Sequence, residues 1–329
     1  SLQALFPYMD PSWVEWIKER QWSGPSGVAV VYPPNAPAST RPEWSPPATD
    51  VTALRNALLD PWRTERAVIN CYYAVDSIRH PDCAAAVAAA VNNWLIAEWL
   101  DRDASLAASI VIPARDPQAA VAEIERVGAH PQFVQVLAPI KADRLYGSRS
   151  WHPVFDAMRR HDLVLGLHFG GATDDAPTPT GWPSWYVEEY VGEWGNFSAQ
   201  LTNLLAEGVF SAFPDARVAV LEAGFVWVPS LGWRMNKEWK GLRREVPWID
   251  RLPTTLLREH VRFSISPMDA GPSEELANIV QWLGSDEQLM FATDYPHMHD
   301  DDVRQLLGVL EPDAQTKLMA ENARGWYRL

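Results

Sequence analysis

Seven apolar runs of strand length, rich in β-branched residues and almost unbroken by polar ones, recur along this chain. They fall at 66–72, 106–113, 133–140, 163–169, 217–223, 261–266 and 289–293. A strand with one wet face alternates in polarity, whereas one covered on both faces reads as a continuous run. Helical patterns separate them at 82–103, 116–130, 151–161, 197–213, 229–245, 273–283 and 301–310, and a last helix is expected at 313–327. Strands alternating with helices across short connections predict a parallel sheet with right-handed crossovers. After the run ending in His168 stands only a Gly170-Gly171 pair, without the G-x-G-x-x-G spacing of a phosphate-binding turn. An α/β fold of the (β/α)8 TIM-like barrel type is therefore expected over an open doubly wound sheet. Such a barrel has eight strands. The stretch before the earliest run offers only 27–32, which is flanked by prolines, so the first strand is expected to be missing from this chain or misread.

The rest of the N-terminal region reads differently. A short helix is expected at 11–20, followed at 23–50 by prolines at 25, 33, 34, 37, 42, 46 and 47. That density excludes regular helix and central strand and predicts an irregular arm lying over the barrel. Residues 1–329 are taken as a single barrel domain. With 47% hydrophobic and 21% charged residues the composition is that of a globular protein. Twenty-eight basic against 42 acidic residues leave a net charge of −14, which argues against nucleic acid and anionic membrane as partners. No apolar run approaches the roughly 20 residues of a membrane span. No signal peptide is visible at 1–10, and Cys71 and Cys83 cannot form a disulfide framework, so a soluble, cytoplasmic protein is expected. The 17 tryptophans fit either a large core or an aromatic pocket or subunit interface.

In barrels of this kind the reactive groups stand at the carboxyl ends of the strands. His130, His161 and His260 precede strands, so capping on the opposite face is expected of them. His80 and His152 lie in or after loops that leave strands, where they either reach the mouth or are solvated. His168 closes its apolar run, and Glu222 and Asp294 close theirs. A buried carboxylate at a strand end needs a metal, a cation or hydrogen-bond donors. A strand-end histidine presents a neutral ring nitrogen suited to a metal. These three residues predict a convergent polar site. Pro296 turns the chain across the mouth directly after Asp294, which brings His297 or His299 where a substrate carboxylate would rest. Asp300, Asp301 and Asp302 then start the next helix, where acidic residues suit the dipole.

Several segments resemble the amidohydrolase-related family of TIM-barrel metal enzymes, the group that includes aminocarboxymuconate-semialdehyde decarboxylase. They are Trp151-His152-Pro153 through Leu167-His168-Phe169-Gly170-Gly171, Glu207-Gly208-Val209-Phe210 to Phe213-Pro214, Leu221-Glu222-Ala223-Gly224, Trp233-Arg234-Met235-Asn236 and Asp294-Tyr295-Pro296-His297. The resemblance spans nearly the whole chain. It implies one divalent metal at the barrel mouth, zinc foremost, with iron, manganese or a dinuclear centre as alternatives. His168 matches the family's fifth-strand ligand and Asp294 its eighth-strand aspartate. The family's H-x-H pair on the first strand has no match, since His297-Met298-His299 follows the last strand, and Glu222 stands where the decarboxylase has a sixth-strand histidine.

The resemblance implies a metal-dependent hydrolase or decarboxylase acting on a small carboxylated molecule. Asp294 and Glu222 are its catalytic candidates; His168, Asp294 and Glu222 are its metal ligands; His297, His299, Trp182 and Arg234 are its substrate contacts. A non-haem iron oxygenase of the same family is one alternative. The other is a non-catalytic partner subunit, in case the H-x-H pair is absent rather than upstream of Ser1. The expected partners are the substrate and further copies of this chain or a paralogous subunit.

Overall fold

The computed structural model describes residues 1–25, 47–171, 176, 178, 180–297, 299 and 302–329. Most of the proline-rich arm, including 27–32, lies outside the described residues, as do Met298, Asp300 and Asp301. All seven apolar runs are strands. After α1 (Pro11–Glu19) come β1 (Ala67–Ile69), α2 (Pro81–Glu98), β2 (Leu106–Val111), α3 (Pro117–Val127) and β3 (Phe133–Lys141). Next are α4 (His152–Arg160), β4 (Val164–Gly171), α5 (Tyr186–Ala206), β5 (Val218–Leu221), α6 (Val228–Leu242) and α7 (Pro253–His260). The chain ends with β6 (Val261–Ser264), α8 (Ser273–Leu283), β7 (Leu289–Met290), α9 (Val303–Gly308) and α10 (Asn322–Tyr327).

Each strand pairs in parallel with the next, in the order β1-β2-β3-β4-β5-β6-β7. Two apolar clusters explain why the runs do not alternate. Ile110, Val136, Leu165, Val220 and Phe263 face the helices in one. Ala107, Val134, Val164, Ala219 and Met290 face inward in the other, closed off by Trp326 and Tyr327. A sheet with an inside and an outside is a curled one, and the architecture is the TIM-like barrel type. Among the described residues no pairing joins β7 to β1.

Three helical readings need correction. The segment 197–213 is two helices, because Gly208 takes φ +76° and ends the first, and α5 begins at Tyr186. The helix α7 was not expected at all. Against the expectation that no apolar run approaches a membrane span, Pro81–Arg102 is by length and composition apolar enough to cross a membrane. Its Val87, Ala88, Ala90, Val91 and Leu95 are buried in the sheet–helix core, so that apolarity serves packing. Asn92 on this helix is fully buried and clasps the end of β2, donating to the Val111 carbonyl at 2.8 Å and accepting from its N–H at 2.9 Å.

Inside the barrel a polar layer separates the apolar floor from the mouth. Tyr327 Oη donates to Gln135 Oε1 at 2.7 Å, Gln135 Nε2 to Ser109 Oγ at 2.7 Å, and Ser109 Oγ to Asn70 Oδ1 at 2.6 Å. Gly166 makes room for this chain, since a Cβ there would stand 2.4 Å from Gln135 Cδ. Two residues further along β4, on the same inward face, comes His168.

Candidate active site

The carboxyl ends of β4, β5 and β7 bring five of the sequence candidates into one chain of contacts. His168 Nδ1 meets the Phe169 carbonyl at 2.6 Å and therefore carries a hydrogen, while Nε2 lies 2.9 Å from Glu222 Oε1. Glu222 is hydrogen-bonded in turn to Asp294. One Asp294 oxygen, Oδ2, meets both His297 Nδ1 at 3.1 Å and His299 Nε2 at 2.6 Å. Glu222 and Asp294 take left-handed backbone conformations, φ +59° and +53°. Side chains other than glycine rarely adopt these, and such strain clusters at functional sites. The Glu222 turn is pinned by its own N–H donating to Ser264 Oγ at 3.2 Å. The Asp294 turn is pinned by the His297 N–H on the Asp294 carbonyl at 2.8 Å.

The two carboxyl groups are driven in opposite directions. Burial raises the Glu222 pKa, and the negative Asp294 beside it adds to the rise against the pull of His168. Burial also works on Asp294, but hydrogen bonds from His297, His299 and Glu222 outweigh it and hold that carboxyl below the usual carboxylate range. His168 is pushed up to about 9: burial opposes the charged ring, and the Glu222 charge and hydrogen bond overcome it.

Glu222, Asp294 and His297 each offer a ligand atom within 4.8 Å of the other two. A tetrahedral ion with bonds of about 2.0–2.2 Å holds its ligands roughly 3.5 Å apart. Two carboxylates with an imidazole suit a divalent cation. His168 lies against Glu222 and His299 against Asp294, contacts through which a histidine can orient a ligand. A cavity of about 1150 Å³ reaches the cluster through His297 and His299 and is walled by Trp62, Phe291, Tyr295 and Arg304.

The structure does not bring Trp182 or Arg234 to this cluster. Trp182 lies exposed in the loop after β4, and Arg234 is exposed on the second turn of α6. The remaining histidines have structural partners. His80 caps α2, its Nδ1 accepting from the Cys83 N–H at 3.3 Å between the rings of Trp13 and Trp16. His152 lies edge-on to Phe213. His130 meets Asp101, His161 meets Glu125 at 2.9 Å, and His260 meets the Ala216 carbonyl at 2.8 Å.

Two residues at the mouth escaped the sequence reading. Tyr72 stacks on the His168 ring at 5.8 Å and accepts from the Gly171 N–H at 2.8 Å. Gly171 has φ +151°, and a Cβ on it would strike Lys141 at 2.3 Å. Lys141 ends β3 and forms ion pairs with Glu189 at 3.1 Å and Glu193 at 3.5 Å, both on α5. Applying the strand-end filter to tyrosine and lysine as well as to histidine and acids would have found both.

A parallel barrel carrying a histidine and two carboxylates at its strand ends is the arrangement of a metal-dependent barrel enzyme, and this chain belongs to the amidohydrolase family. The family's model, described as amidohydrolase, matches residues 20–329. Among solved structures, the chain is similar to 5-carboxyvanillate decarboxylase of Sphingomonas paucimobilis (TM-score 0.68, 19% identity, covering 85% of this chain and 84% of that one). It is also similar to 2,6-dihydroxybenzoate decarboxylase from Rhizobium (TM-score 0.67, 18% identity, covering 86% and 90%). A third is a dihydroxybenzoic acid decarboxylase of Polaromonas sp. JS666 with bound manganese and 2-nitroresorcinol (TM-score 0.64, 17% identity, covering 85% and 86%). No curated protein matches the chain in sequence.

Proposed function

We propose that this chain is a divalent-metal-dependent carboxy-lyase that removes CO2 from a small aromatic carboxylate. The observation that carries the reading is the convergence of Glu222, Asp294 and His297 beside a cavity with aromatic walls. Decarboxylation is favoured over hydrolysis by the reactions named for the structural relatives. Manganese is favoured over the expected zinc by the oxygen-rich donor set and by the manganese bound in one relative. The metal would be held by Glu222, Asp294 and His297, with His168 and His299 orienting the carboxylates. When bound it supplies a Lewis acid that chelates the substrate's carboxylate. The rest falls to the chain's own residues. Asp294 stays anionic between two histidines, and Trp62, Phe291 and Tyr295 wall the ring and exclude water. A proton passes from His168, whose charged ring Glu222 holds, to the ring carbon bearing the carboxylate. The bond from that carbon to the carboxyl group then breaks, its electron pair restores the aromatic ring, and CO2 leaves. A single barrel domain and a cytoplasmic location go with this reading, the latter in keeping with free Cys71 and Cys83.

The test is CO2 release from 2,6-dihydroxybenzoate and 5-carboxyvanillate by manganese-loaded protein, compared with Glu222→Gln. The reading expects turnover by the wild type and a loss of about 100-fold or more in the variant, the usual size of an acid–base contribution. A variant as active as the wild type would remove Glu222 from the chemistry.

A further inference from the structure

The Gly170-Gly171 pair at the end of β4 lacks the spacing of a phosphate-binding turn, and its surroundings give it another use. Both glycines have positive φ, +124° and +151°, in a region that side chains rarely adopt. A Cβ on Gly170 would stand 3.0 Å from Tyr72 Cζ, and one on Gly171 would strike Lys141. Glycine loses more conformational freedom on folding than any other residue, so two in succession at a strand end carry a cost. What Gly170 admits in return is the ring of Tyr72. This residue follows β1, which β2 and β3 separate from β4, yet it lies on His168 with ring planes 10° from parallel. At 5.8 Å between centroids the pair is offset-stacked. The hydroxyl is held as well. It accepts from the Gly171 N–H at 2.8 Å, with Asp76 Oδ2 at 3.1 Å and the Gly171 carbonyl at 3.2 Å to receive its hydrogen. Asp76 is buried in a turn entered through Ala74 at φ +53° and closed by Arg115 Nε, which donates to the Asp76 carbonyl at 2.8 Å. Strained backbone of this kind persists only where the surroundings hold it, and it gathers at functional sites.

We propose that Tyr72 is a positioning residue, whose ring sets the tilt of the His168 imidazole and so the direction in which His168 meets the substrate. The proposal rests on the reading above of His168 as the proton donor. His168 makes two hydrogen bonds in the plane of its ring, Nδ1 to the Phe169 carbonyl at 2.6 Å and Nε2 to Glu222 Oε1 at 2.9 Å. Such bonds set where the nitrogens lie and hold the tilt of the ring only weakly. A flat surface against the ring face holds the tilt, and Tyr72 supplies one. The Tyr72 hydroxyl in turn ties that surface to Gly171, three residues along the same strand from His168, so that donor and support move together. Proton transfer to carbon needs the donor aligned with the accepting atom, and a misplacement of about 1 Å can cost about 100-fold in rate. The ring of Tyr72 therefore carries the effect, and its hydroxyl keeps the ring in place.

Two variants test this in the manganese-loaded full chain with 2,6-dihydroxybenzoate. Tyr72→Leu removes ring and hydroxyl, whereas Tyr72→Phe keeps the ring. In Tyr72→Leu kcat is expected to fall by about 10- to 100-fold with KM little changed, and Tyr72→Phe is expected to restore most of the loss. Unchanged turnover in Tyr72→Leu overturns the proposal, and so does a Tyr72→Phe variant as slow as Tyr72→Leu. A loss carried by KM instead would make Tyr72 a substrate contact and overturns it too. A second measurement reads the ring without turnover. In carbon–proton NMR spectra of the chain loaded with magnesium, the His168 ring signal is identified by its absence from His168→Asn. That signal should move in Tyr72→Leu, where the neighbouring aromatic ring is gone, and return close to its wild-type position in Tyr72→Phe. A signal that stays in place in Tyr72→Leu overturns the stacking role. If no form of the chain releases CO2, the carboxy-lyase reading fails, and the NMR signal alone decides whether Tyr72 positions His168.

Discussion

Asp294 and Glu222 are the same kind of group at the same kind of address, and their neighbours push their proton affinities apart, as in many acid–base sites. Their positions at the ends of apolar runs were enough to single them out in the sequence, as was His168. What the sequence withheld was the pairing: that His168 faces Glu222, and that His297 and His299 share one oxygen of Asp294. That depends on two left-handed turns, which no residue type signals here, since neither is a glycine. Trp182 and Arg234 were named as substrate contacts and are exposed; for Arg234, matching a segment fixes no side-chain direction. A test at this scale lies at Glu193, where burial raises the pKa against the pull of Lys141. The unfolded chain ionises a glutamate near 4.3 or so, the folded one at higher pH. The stability this group contributes is therefore fully present below that value and is lost as pH rises through the folded pKa. In Glu193→Gln the loss should disappear. Urea midpoints are expected to match the wild type near pH 4 and to equal or exceed it at pH 7. A marked destabilisation at pH 7 would show that the Lys141 pairing outweighs the cost of burying the charge.

At the scale of elements, the strands were legible because a barrel strand is buried on both faces, so each appears as an unbroken run that no turn or amphipathic helix imitates. The helix α5 was cut short in the sequence for the converse reason. Its first half carries Val187, Tyr190, Val191 and Trp194 outward and Glu189 and Glu193 inward, the reverse of the pattern that a helix packed on a sheet displays. The short α7 has too few turns to show a period. The closing helix α10 was expected, but its role inside the barrel was not: Tyr327 reaches Gln135 on β3 across 192 residues of sequence. Tyr327→Phe keeps the ring and leaves the buried Gln135 oxygen without its donor. That change should cost about 1–3 kcal/mol in urea unfolding, and no loss would mean that the polar layer is not anchored through this hydroxyl.

At the scale of the molecule, seven parallel strands gather the ends of β4, β5 and β7 around one cluster, and the cavity beside it reaches that cluster through His297 and His299. The central claim is that Glu222, Asp294 and His297 converge on a single divalent ion. Metal analysis of protein equilibrated with manganese and freed of excess tests this most directly, with the wild type and Asp294→Asn measured side by side. One manganese ion per chain is predicted for the wild type. Asp294→Asn should keep the same fold by circular dichroism and lose the metal, because an amide cannot replace the anion that His297 and His299 hold in place. A folded wild type that retains no divalent metal, or a variant that retains as much as the wild type, would contradict the account.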